Sequence, residues 1–181
     1  MKPTQTLIEE HNVIVQMLNV AKHEAEAEGT LNTEKIAGLI EFFANFADRL
    51  HHAKEETLLF PRLEERGMPH DGGPIAIMLM EHNEGRAFLA AARKALPAAQ
   101  QGDAKAATAV RKSLQGFVEL LRAHIHKENM ILFNMADQML TDADQCELEI
   151  AFAKVNGVDL ADVRQRQLEF ARHMAGKPTT K

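Results

Sequence analysis

One ten-residue stretch occurs twice in this chain: His51 to Phe60 reads HHAKEETLLF, and His124 to Phe133 reads HIHKENMILF. Both copies carry His-x-x-x-Glu, an internal Lys-Glu and a terminal Leu-Phe in the same register, so that His51 matches His124 and Glu55 matches Glu128. A fainter echo precedes each copy, Glu10-His11-Asn12 before the first and Glu81-His82-Asn83 before the second. Self-similarity of this kind constrains a fold more than local propensity does, because each copy must find an equivalent environment. The chain reads twice as a His on one helix followed by His-x-x-x-Glu on the next.

The hydrophobic spacing supplies those helices. Leu7, Ile14, Leu18 and Ala21 recur at intervals of three, four and seven, one stripe of an amphipathic helix that includes His11. Gly29-Thr30 ends it, and Asn32 or Thr33 can cap a second helix whose stripe is Ile40, Phe43, Ala47, His51, Glu55 and Leu58. On that wheel His52 and Glu56 fall outward or at the boundary. Pro74 opens a third helix with Ile75, Met78, His82, Gly85, Leu89 and Leu96 inward, which Pro97 is expected to end or interrupt. A fourth runs from about Ala104 through Phe117, Leu121, His124, Glu128, Ile131 and Met135. Thr141 to Asp144 resembles a capping box, and two shorter helices and a polar tail follow. The fold class expected is all-α: an antiparallel four-helix bundle over residues 1–140, with C-terminal helices at 141–181 packed on its outside.

Composition narrows the function. The chain has 181 residues, a net charge of −5 and scattered basic residues, which argues against nucleic acid as a partner. The absence of a long apolar run argues against a membrane span or signal peptide and sets a cytoplasmic expectation. A single cysteine, Cys146, excludes an internal disulfide and a multi-cysteine metal site. Nine His residues are the natural donors instead.

Residues four apart on an α-helix differ by about 40° around its axis, so His51 and Glu55 reach one small volume, as do His124 and Glu128. With His11 and His82 they make six polar groups inside a bundle, and buried carboxylates need compensation. Imidazole and carboxylate without thiolate suit iron, manganese or zinc. The order His11, His51-x-x-x-Glu55, His82, His124-x-x-x-Glu128, with Leu-Phe closing each block, resembles the hemerythrin-like (HHE cation-binding) family over residues 5–140. The resemblance implies two iron ions, oxo- or hydroxo-bridged, with zinc or manganese as substitutes. It assigns His11 and His51 to one ion, His82 and His124 to the other, and Glu55 and Glu128 as bridges.

The family's oxygen carriers place a further His one turn after the third-helix His, where this chain has Arg86 beside Gly85. Their closing motif is His-x-x-x-x-Asp, whereas here Glu128 stands four and Asn129 five residues after His124. The expectation is therefore a nearly two-fold site with two imidazoles per ion and open space beside Gly85. It would bind dioxygen or another small oxidant for sensing, storage or detoxification. A di-iron enzyme acting on hydrogen peroxide or nitric oxide is the alternative, and a structural bundle recruiting a protein partner is a third class. The register His52 with Glu56 is a competing ligand choice, and Glu10 and Glu81 are candidates to orient the His beside them.

Overall fold

The computed structural model describes residues 1–176, and the end of the expected polar tail lies outside them. Four long helices form the bundle: α1 (Pro3–Glu26), α2 (residues 33–65), α3 (Pro74–Gln100) and α4 (residues 104–139). Two shorter helices follow, α5 (Asp142–Lys154) and α6 (Ala161–Met174). The starts obey local chemistry. The Asn32 side chain accepts from the Lys35 backbone N–H, and Asp103 accepts from those of Lys105 and Ala106, satisfying donors that a helix start leaves free. The capping box at α5 forms in full, with Thr141 and Asp144 exchanging side-chain and backbone hydrogen bonds. Pro97 does not break α3, because it sits in the last turn and forfeits a single backbone bond near an end.

The bundle neighbours run α1 against α2 and α4, and α3 against α2 and α4. Toward the far end, Ile14, Leu18, Phe43, Leu89, Phe117 and Leu121 make one apolar cluster. Toward the other, Leu7, Leu59, Phe60, Met78, Leu132 and Phe133 make a second. Each of the four helices passes its His between those clusters, so a polar layer lies across the middle of an otherwise apolar bundle.

Helices α5 and α6 lie against α1 and α2. Arg62 of α2 and Arg66 just past its end both pair with the buried Asp144 carboxylate, at 2.6 and 2.7 Å. Gly38 lets α6 approach: a side chain there would place its Cβ 2.7 Å from the Phe170 ring. This cover changes the character of α2. Phe42, Phe46, Leu50 and Lys54, off the expected inward stripe, are all buried.

The departure that matters most is inside the two repeated blocks. The Phe60 N–H donates to the Glu55 carbonyl and the Phe133 N–H to the Glu128 carbonyl, five residues back in each case. Such π turns hold one more residue than an α turn and are concentrated at functional sites. The extra residue advances the inward stripe, so Leu59 and Leu132 are buried where the α-helical frame selects Leu58 and Ile131; Ile131 is 54% exposed. A further π-type stretch, Phe43–His52, precedes the first block and has no counterpart among the described residues of the second.

Candidate metal centre

All six expected donors, His11, His51, Glu55, His82, His124 and Glu128, are buried in one cavity. The Glu128 Oε2 lies 3.2 Å from the Nε2 of both His11 and His124. The two Glu55 oxygens point in different directions, Oε1 3.5 Å from His51 Nε2 and Oε2 3.5 Å from His82 Nε2. Each carboxylate therefore stands between two imidazoles that come from different repeats.

His52 joins them, against the expectation that it faces outward. It is 6% exposed and stacks on the His82 ring with centroids 3.8 Å apart. The widened Phe43–His52 stretch explains why: it spreads the inward face of α2 so that adjacent histidines share it. Two donor sets result, His52, Glu55, His82 and His124 in one and His11, His51, Glu55 and Glu128 in the other. Within each set the ligand atoms all lie within 4.8 Å of one another. The fifth imidazole expected to be missing is thus supplied from α2.

Gly85 and Arg86 do not line this cavity in the way the α3 wheel suggests. A Cβ on Gly85 would contact the Phe117 ring at 3.6 Å, so the glycine serves packing against α4. Arg86 donates to Asp48 at 2.8 Å and to Glu56 at 2.7 Å. Those carboxylates in turn meet the histidines, Glu56 accepting from His82 Nδ1 at 2.7 Å and Asp48 lying 3.4 Å from His52 Nδ1. Burial tends to raise the Asp48 carboxyl, but His52 and Arg86 hold it below the ordinary range.

The other three imidazoles are held alike. The Nδ1 of His51 faces Glu10 at 3.0 Å, that of His124 faces Glu81 at 3.0 Å, and that of His11 faces Asn129 Oδ1 at 2.7 Å. Lys54 binds Glu10, and Lys127 binds Glu81. The repeat extends to this outer ring: Lys54 and Lys127 occupy matching positions, as do Glu56 and Asn129. The Leu-Phe pairs complete it, with Phe60 stacked on His82 at 6.1 Å and Phe133 on His11 at 5.5 Å.

The chemistry follows from which atoms are left over. Every Nδ1 faces an oxygen acceptor, which turns the Nε2 atoms of His11, His51, His82 and His124 toward the carboxylates, with those of His82 and His124 3.1 Å apart. Four carboxylate oxygens share that space, and all four, with the Nε2 of His11 and His51, lack a hydrogen-bond partner. Buried polar atoms are rarely left unsatisfied. Unpartnered nitrogen and oxygen atoms that converge in this way are satisfied by cations, which coordinate several lone pairs at once. Without them the groups strain against each other: burial and the adjacent Glu128 push Glu55 well above its ordinary range. Burial also works to raise Glu128, but His124 and His11 hold it well below. Burial, reinforced by neighbouring imidazoles, keeps His51 and His52 well below theirs, in the neutral form that ligates a metal.

Comparison with known families agrees with this geometry. Residues 2–136 match the family described as Hemerythrin HHE cation binding domain. The chain belongs to that family. No curated protein and no solved structure gave a match. As an HHE protein it is a cation-binding bundle, and the matched region ends before α5 and α6 begin. Among the described residues no helix is long and apolar enough to cross a membrane.

Proposed function

We propose that this HHE protein is a non-haem di-iron protein that binds dioxygen or another small oxidant. The observation that carries the reading is the six buried nitrogen and oxygen atoms of His11, His51, Glu55 and Glu128 that lack a hydrogen-bond partner where two groups of candidate ligands converge. Iron suits a donor set of imidazole and carboxylate without thiolate, and zinc or manganese can take the same positions. His52, His82 and His124 would hold one ion and His11 and His51 the other, with Glu55 and Glu128 between them. The half with two imidazoles takes fewer nitrogens from the protein and is the side on which a small exogenous ligand would bind. When present, the iron pair supplies the redox chemistry; the protein supplies imidazoles oriented through their Nδ1 atoms and exclusion of bulk water.

Metal content and the optical spectrum of aerobically purified protein test this. Two iron ions per chain and near-ultraviolet absorption that shifts on adding azide are expected. One zinc per chain, with no change on azide, would overturn the proposal. Turnover assays with hydrogen peroxide and nitric oxide on the iron-loaded protein then separate a binding role from an enzymatic one.

A further inference from the structure

The two lysines of the repeat occupy different surroundings. Lys127 is 35% exposed beside Glu81, as expected for a charged side chain on a bundle surface. Lys54 is fully buried beside a nearly buried Glu10, and its Nζ lies 5.8 Å from the centroid of the Phe152 ring on α5. An ammonium group taken out of water is costly unless it is well paired, and an apolar residue of similar length would fill the space more cheaply. Its pairing runs inward in one line: Lys54 holds Glu10, and Glu10 holds His51 Nδ1. Phe152, 2% exposed, closes the outer end by offering the ring face that attracts a cation. Phe152 lies outside residues 2–136, so an element beyond the family domain touches the support of a candidate ligand.

We infer that the α5–α6 pair is a positioning cover for one half of the metal centre, acting from Phe152 through Lys54 and Glu10 on His51. The equivalent line in the other half, Lys127 to Glu81 to His124, reaches solvent at Lys127. The two ions are therefore held with different kinetic tightness: the one at His11 and His51 is retained, and the one at His52, His82 and His124 is exchangeable. This rests on the two-metal reading above.

The test uses the full chain loaded anaerobically with ferrous iron and mixed with excess chelator, following chelate absorbance. Wild type should release iron in two phases of equal amplitude. Lys54→Met keeps the side-chain length and removes the charge, and should accelerate the slow phase by about 10-fold or more while sparing the fast one. Lys127→Met should change only the fast phase. Phe152→Ala should act like Lys54→Met, and Phe152→Leu, which keeps most of the apolar volume and guards against simple loss of the fold, should act in the same direction. A slow phase unchanged in both Lys54→Met and Phe152→Leu overturns the cover. Uptake of fewer than two ions by wild type overturns the two-metal reading and the cover with it.

Discussion

Replacing Glu55 by Met should stabilise the metal-free protein and at the same time remove its response to metal. Glu55 is fully buried, neither of its oxygens has a hydrogen-bond partner, and burial beside Glu128 raises its carboxyl well above the ordinary range. A buried polar group left unpaired costs about 1–3 kcal/mol. Met has a similar length and nothing to satisfy, so the metal-free variant should gain energy of that order. For a chain of this size each kcal/mol moves Tm by about 2–4 °C, which gives a rise of roughly 2–12 °C in chelator. Wild type should recover more when metal is present, about 2.7 kcal/mol at free metal a hundred times Kd, and the variant much less. Glu128→Met is the control with the opposite sign: unlike Glu55, the Glu128 carboxylate is held below its ordinary range by His124 and His11, each 3.2 Å away, and without it the metal-free protein should melt lower. Thermal melts of the three proteins with chelator and with ferrous iron decide it. If Glu55→Met melts below wild type in chelator, or gains as much from iron, Glu55 serves packing and the reasoning from unpaired oxygens fails.

Three further outcomes follow from the same geometry. Glu56→Ala, harmless if Glu56 were a surface residue, should weaken metal binding by about 10–100-fold, because Glu56 orients His82 and is held by Arg86; metal titration measures this. Gly85→Ala should raise Tm by a few degrees and leave metal content unchanged, since its Cβ meets Phe117 at ordinary contact distance and Ala gains about 1 kcal/mol over Gly in a helix. Hydrogen bonds from Arg66 and Thr141, foremost among several, hold the Asp144 carboxyl below its ordinary 3.8, so its contribution is full above that pH and is lost as the pH falls below it. Asp144→Asn should therefore lower Tm at pH 7, and the gap from wild type should narrow on acidification below about pH 4.

The four long helices and the convergence of the six candidate donors were legible because their signals are periodic or repeated. His11, His51, His82 and His124 lie on stripes that ordinary helical spacing selects, and the two Glu sit one turn beyond their His partners. His52 was not legible, since an α-helical wheel rotates it away from His51 and only the widened Phe43–His52 stretch brings both inside. Lys54 was hidden for another reason: it is buried by α5, a tertiary contact with no trace in the periodicity of α2. The outer acceptors were partly readable. Glu10 and Glu81 precede their His neighbours in both repeats, yet each orients the His of the following helix rather than the one beside it. The matched positions Glu56 and Asn129, both oxygen-bearing, were the available sign that the lone histidines are held from the opposite block.

The widened turns after Glu55 and Glu128 also set the two ends of α2 and α4 out of phase with each other. Upstream of each turn the inward direction is chosen by what the cavity needs, and downstream by what the apolar end needs; the turn absorbs the difference. A single α-helix could not serve both, because one angular frame would have to satisfy donors and hydrophobic residues together. The arrangement makes the geometry of the turn more critical than the identity of the residues between Glu55 and Phe60. Tightening the turn to α geometry with all its residues kept would rotate everything beyond it by about 100°. The Phe60 ring would then leave His82 at the same moment that Leu63 left the core, so damage to the site and damage to the fold would arrive together.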